Sequence, residues 1–202
     1  MGNGLKPCTQ QHPSFLYEPL INPHILEAAA LPWGTRVKIA IGTAQALAFL
    51  HSIKSGPLHR DLRMHNIMLD EQYNAKLFYL ESNQQLVEDK IYRGEAIYLP
   101  PEYLETGQLA MNDVYTFGVI LLELLTGSKD IAKCVNRQTL DDWTRPFFIG
   151  EIIDPRLGND YPVNAAIQLC TLIRSCTTYD KKRRPVMQQV LDVLIHISQI
   201  KY

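Results

Sequence analysis

The chain of 202 residues has no long hydrophobic run, no bulk charge and little cysteine. Its longest nearly unbroken apolar stretch, residues 117–125, is too short to span a bilayer and contains Glu123, so no transmembrane segment is expected. No apolar segment follows Met1, so no secretory leader is expected either. Lys6 stands where an acylation signal at Gly2 wants Ser or Thr, which argues against that modification. With 20 basic and 21 acidic residues the formal net charge is −1, which excludes nucleic-acid binding by bulk charge. Four cysteines (Cys8, Cys134, Cys170, Cys176) form neither a CxxC pair nor a dense framework, so a reducing, intracellular setting with thiols as core residues is expected. Of the six histidines (His12, His24, His51, His59, His65, His196), no two share a helical face with a carboxylate at metal-ligand spacing. Ordinary structural roles are expected for them.

What is present suits a globular domain or part of a larger one: 46% of residues are hydrophobic. Residues 1–14 are polar and broken by Pro7 and Pro13, which predicts a flexible lead-in and a folded unit over 15–202. Between 35 and 51, Val37, Ile41, Ala44, Leu47 and Ala48 recur at three and four, the pattern of a long, largely buried helix. Two short apolar runs, Ile67-Met68-Leu69 and Lys76-Leu77-Phe78, flank turn-forming residues 70–74 and predict a small β-hairpin. Asp113 precedes an apolar stripe through Leu125 and Gly127 follows it, an N-cap and a C-terminal glycine in the right order. Further helices are expected over 164–177 and 186–199, the latter with Pro185 at its first turn. Residues 128–161 carry no clear pattern. The expected fold class is mainly α with a small β-hairpin.

Chemistry concentrates in His59-Arg60-Asp61-Leu62-Arg63-Met64-His65-Asn66. Downstream stand Pro100-Pro101-Glu102, then Asp113-Val114-Tyr115-Thr116-Phe117-Gly118, then Arg184-Pro185. In that order, the sequence resembles the C-terminal lobe of a eukaryotic protein kinase. More narrowly it resembles the plant receptor-like cytoplasmic serine/threonine kinases. That likeness rests on Leu31-Pro32-Trp33 with Arg36 and Lys38-Ile39-Ala40, Ala48-Phe49-Leu50-His51, Tyr73-Asn74-Ala75-Lys76-Leu77, Glu123-Leu124-Leu125-Thr126-Gly127, Asp141-Asp142-Trp143 and Ile153-Asp154-Pro155-Arg156-Leu157. It extends over about residues 15–197.

The resemblance implies roles residue by residue. Asp61 matches the aspartate that accepts the substrate hydroxyl proton, and Asn66 the asparagine that holds magnesium. Arg60 matches the arginine that docks a phosphorylated activation loop. Arg63 replaces the usual lysine near the transferred phosphate, a planar fork in place of a point charge. Glu18 to Leu20 resemble the hinge that pairs with adenine, and Met68 the floor of the adenine site. Asp113 matches the aspartate that braces the catalytic loop, and Glu102 with Arg184 a buried ion pair. Lys181-Lys182-Arg183 is read as a solvated loop, with contact to phosphates or acidic lipid as the competing reading.

Two departures set the expected function. Where the family places a metal-binding Asp-Phe-Gly after Lys76-Leu77, this chain has Tyr79-Leu80-Glu81. A phenol is neutral at pH 7 and reaches farther than a carboxylate, and Glu81 stands two residues late for octahedral Mg²⁺. Few residues precede the hinge, so the expectation is a C-lobe lacking most of the N-terminal lobe, with its glycine-rich loop and strand lysine. Such losses lower the rate by a factor on the order of 10⁵. Gly94-Glu95-Ala96-Ile97-Tyr98 also replaces a Gly-Thr pattern, and Glu88, Asp89 or Glu95 would offer Arg60 fixed negative charge.

The expected protein is therefore kinase-like and catalytically impaired, with ATP and Mg weak or absent as cofactors. An uncovered apolar surface including Phe15, Leu16, Met68 and Leu80 is expected to bind a partner. By resemblance, partners lie among receptor kinases or immune signalling proteins, in an adaptor or decoy role. The expected location is cytoplasmic or peripheral at the plasma membrane. The competing expectations are a working ATP-dependent serine/threonine kinase known from a truncated gene model, and a non-functional kinase gene fragment.

Overall fold

The computed structural model describes residues 31–53, 62, 64, 67–77, 96–102, 113–127 and 149–201. The first helix, α1 (Trp33–Ser52), starts two residues earlier than its apolar pattern alone indicates. Pro32 immediately precedes it with φ −55°, already close to helical, and its carbonyl accepts the first helical bond from the Arg36 N–H at 3.1 Å. The helix buries Trp33, Val37, Ile39, Ala40, Ala44 and Leu47, and leaves Phe49 66% exposed.

Strands β1 (Ile67–Leu69) and β2 (Ala75–Leu77) pair antiparallel in the register Ile67↔Leu77, Met68↔Lys76 and Leu69↔Ala75. The Asp70 carboxylate builds the turn by accepting from the backbone N–H groups of Gln72 (3.0 Å) and Asn74 (2.9 Å) and from the Asn74 side chain (2.8 Å). Bonds from Asn74, side chain first, hold the Asp70 carboxyl below its ordinary value. The strand β2 lies against α1 where Gly42 permits close approach: a Cβ there would sit 3.1 Å from that of Ala75. β2 begins one residue earlier than expected, and Phe78 lies outside the described residues.

The centre of the molecule is α2 (Asp113–Thr126), in which every residue except Thr116 and Thr126 is buried. A helix apolar on all sides has to be covered on all sides, and α4 (Val163–Thr177) and α1 pack against it. Asp113 is the first residue of this helix, not a cap ahead of it, and its carboxylate is directed to His51. The chain then describes α3 (Ile149–Ile152) and a 3-10 turn (Pro155–Leu157) within the stretch that showed no pattern. The last helix, α5 (Met187–Gln199), lies along α1. It begins after Pro185, with the Val186 N–H donating to the Gln189 side chain at 3.0 Å, so Pro185 stands before the helix and not in its first turn. A continuous core joins these elements from Leu31 to Ile197, including Tyr115 and Phe117. Among the described residues no helix is long and apolar enough to cross a membrane.

Candidate functional site

The loop between α1 and β1 carries the His59 to Asn66 string. Leu62 and Met64, alternate residues within it, are buried in the core at 2% and 7% exposure. At its edge the His51 ring, near the end of α1, meets the buried Asp113 carboxylate, with Nε2 2.7 Å from Oδ2. That contact ties the start of α2 to the end of the helix leading into the loop. Asp61, Arg60, Arg63 and Asn66 lie outside the described residues, as do Tyr79, Glu18, Leu20, Phe15, Leu16 and Leu80. Glu88, Asp89 and Glu95 do too. Met68 is described: strand alternation buries Ile67 and Leu69 on one face and leaves Met68 half-buried on the other, packed against the core.

Glu102 and Arg184 come together across 82 positions of sequence. Two parallel bonds join them, Nη1 to Oε1 at 2.7 Å and Nη2 to Oε2 at 2.9 Å, a planar fork that Lys cannot reproduce. The guanidinium also donates to the Thr178 carbonyl at 2.9 Å and lies 5.0 Å from the centre of the Tyr115 ring. Burial works to raise the Glu102 carboxyl, yet the bond from Arg184, a backbone hydrogen bond and the charges of Arg184 and Lys181 together outweigh it and bring it below its ordinary value. The neighbouring Lys181, Lys182 and Arg183 remain exposed on a single turn that Asp180 caps through the Lys182 N–H at 3.0 Å.

A second buried cluster had no assigned role in the sequence. Arg36, 2% exposed on the inner face of α1, donates to the carbonyls of Leu31 (2.7 Å) and Leu124 (2.8 Å) and to Asp154 Oδ2 at 2.5 Å. Asp154, 1% exposed, also accepts from Arg156 through Nε at 2.9 Å and through its backbone N–H at 3.0 Å. Arg156 in turn donates to the Gly127 carbonyl at 3.1 Å. Burial acts to raise the Asp154 carboxyl, but the hydrogen bonds from Arg156 and Arg36 prevail and bring it down to about 2. Burial draws the Arg36 guanidinium below its ordinary value, opposed by the bond to Asp154. The signal available in sequence was Arg36 itself, a cation on the same helical face as Val37, Ala40 and Ala44.

Tyr98, in a 3-10 turn (Ala96–Tyr98), donates its hydroxyl to the buried Glu123 carboxylate of α2, and Thr116 donates to the Tyr98 carbonyl at 3.1 Å. The segment leading to Glu102 is thereby fastened to the central helix. With both Asp154 and Glu102 held ionised, these carboxylates act as fixed acceptors and not as proton carriers at neutral pH.

A fold of this kind, with a hairpin after one long helix, a wholly buried second helix and an Arg–Glu fork joining distant segments, is that of a protein kinase C-terminal lobe. The protein kinase domain family matches residues 18–194, and the chain belongs to that family. It is similar to the inactive serine/threonine-protein kinase BKN1 of Arabidopsis thaliana, with 57% identity over 96% of this chain and 63% of the relative. It is also similar to the EPD1-interacting receptor-like cytoplasmic serine/threonine-protein kinase 5A of Gossypium barbadense, with 36% identity over 93% of this chain and 45% of that protein. Among solved structures it is similar to the pseudokinase domain of BIR2, an immune regulator of the RLK/Pelle family, with TM-score 0.72 and 25% identity over 88% of this chain and 56% of that one. The chain thus spans less than two thirds of the length of these relatives.

Proposed function

We propose that this chain is a catalytically impaired, kinase-like protein that works by binding other proteins, as an adaptor or decoy in receptor-kinase or immune signalling. The observation that carries the reading is Tyr79. The chain leaves the hairpin at Leu77, and two residues on, where kinases carry a metal-binding aspartate, it has a tyrosine. Protein kinases use ATP with Mg²⁺, and the metal needs that carboxylate to bridge it to the phosphates. A neutral phenol does not fit, so the donor set of this chain does not match Mg–ATP.

Under this reading Asp61 and Asn66 are retained positions without a complete metal site, and Arg63 replaces a lysine beside the phosphates. Arg60, Asp113 and the Glu102–Arg184 pair keep the architecture that the family uses to place its catalytic loop. The name of the 57% identical relative, an inactive kinase, supports the impairment. The likeness to the pseudokinase domain of BIR2, an immune regulator, supports the setting. A cytoplasmic location is supported by the name of the receptor-like cytoplasmic relative, and a peripheral position at the plasma membrane is a further part of the proposal.

Phosphoryl transfer from labelled ATP to a generic protein substrate tests the impairment. Incorporation no greater than that of the Asp61→Asn variant is expected, and incorporation that Asp61→Asn abolishes would identify a working kinase. Calorimetric binding of the folded chain to a purified receptor-kinase catalytic domain tests the adaptor role. A chain that cannot be purified folded would instead fit a non-functional gene fragment.

A further inference from the structure

At the end of the molecule where the start of α1 meets the end of α5 lies a cavity of about 730 Å³. That is within the range of about 300–1,000 Å³ typical of small-molecule sites. Its walls are apolar: Trp33, Val37 and Pro162 are buried, and Ile41 and Ile200 are half-buried. The Trp33 ring is held in place by Tyr161, centroid to centroid 6.1 Å at 39°. Such a wall offers a flat, preformed apolar platform with little side-chain entropy left to lose on binding.

The polar groups around it are asymmetric in charge. Among the described residues of the lining, two cations, Lys38 and Lys201, stand exposed against one carboxylate, that of Asp160. The Lys38 ammonium donates once, to the Gln72 carbonyl at 2.6 Å, which leaves two of its three N–H bonds for another acceptor. Among the described residues Lys201 has no ion-pair partner. Net positive charge beside an apolar wall matches a ligand with an apolar body and an acidic head. The position also has room to spare: a Cβ built on Gly34, which lines the cavity in the first turn of α1, meets nothing within 4 Å.

We propose that this cavity binds a small amphiphilic anion. An apolar or aromatic body rests on Trp33, Val37 and Ile200, and a carboxylate, sulfonate or phosphate group is held at the rim by Lys38 and Lys201. The named lining residues include none of those the family uses for phosphoryl transfer, so the site would operate whether or not the protein transfers phosphate.

Anilinonaphthalene sulfonate, an aromatic body with one acidic group, is the probe. Titrated into the folded chain and followed by its emission and by energy transfer from tryptophan, it is expected to bind saturably at one site. Gly34→Leu adds a bulky apolar side chain at the cavity lining, where a Cβ has nothing within 4 Å to disturb, and is expected to weaken binding at least about tenfold. Lys201→Met and Lys38→Met are each expected to weaken it by a smaller factor, and the uncharged phenylnaphthylamine analogue to bind more weakly than the sulfonate. Thermal melts of each variant establish that it is folded, and Lys201→Met alone decides the charge question should Lys38→Met unfold. Binding that Gly34→Leu leaves unchanged would overturn the site. Equal affinity for the uncharged analogue would overturn the anion.

Discussion

Asp154 sits almost wholly out of water and accepts four hydrogen bonds, three from Arg156 and one from Arg36. Its carboxyl lies at about 2 against an ordinary 3.8, so the folded state favours the ionised form. A depressed value contributes stability that is complete above the ordinary value and is lost as pH falls toward the folded one. Urea unfolding is therefore expected to show an acid-side loss of about 2 kcal/mol between about pH 4 and pH 2, and Asp154→Asn to flatten that limb. Arg36→Ala leaves Asp154 with its three bonds from Arg156 but unpairs the buried Leu31 and Leu124 carbonyls, and is expected to lower the unfolding free energy by at least about 1–3 kcal/mol at neutral pH. Gly127 adjoins this cluster with φ +64°, and a Cβ there would collide with Asp154 Oδ2. Both the backbone and the space require glycine at that position. Arg36 was legible in sequence as an oddity, a cation on an apolar face. Its partner was not, because 118 residues separate the two and no periodicity connects them. The Glu102–Arg184 fork was named only because the chain resembles a family in which that pair meets.

The elements themselves were largely written in local pattern. The helix α2 showed its apolar stripe and its terminal glycine, and the hairpin showed its turn, because these signals act within a few residues. The differences are small and physical: Pro32 starts α1 early, and Pro185, unable to donate, stands ahead of α5 and not within it. What local pattern did not contain was the closeness of the helices. Gly118 of α2 approaches α4 so nearly that an added Cβ would lie 2.7 Å from that of Cys176 and 2.8 Å from the Thr177 methyl. Gly118→Ala is expected to cost about 1–3 kcal/mol by chemical denaturation, since the crossing must open to admit one methyl. Gly150→Ala in α3, where a Cβ meets nothing, is the matched control and is expected to change stability by less than about 0.5 kcal/mol.

For the molecule as a whole, the core that joins α1, α2, α4 and α5 closes off its interior thiols. Cys170 and Cys176 are buried, and burial pushes their thiols up to about 11 and about 12. With almost no thiolate and no access, both are expected to resist Ellman's reagent at mildly alkaline pH until the chain unfolds, as peptide mapping of the modified protein would record. The same architecture preserves a kinase scaffold, and the sequence carries Tyr79 where the proposed reading expects the family's metal-binding aspartate. The scaffold is kept by pairs such as Glu102–Arg184 and His51–Asp113, which join segments far apart in sequence. The most direct test is the melting temperature of the protein with ATP, with and without Mg²⁺. No metal-dependent rise is expected, because a ligand that does not bind the folded state cannot stabilise it. A clear rise that requires Mg²⁺ would contradict the impaired reading.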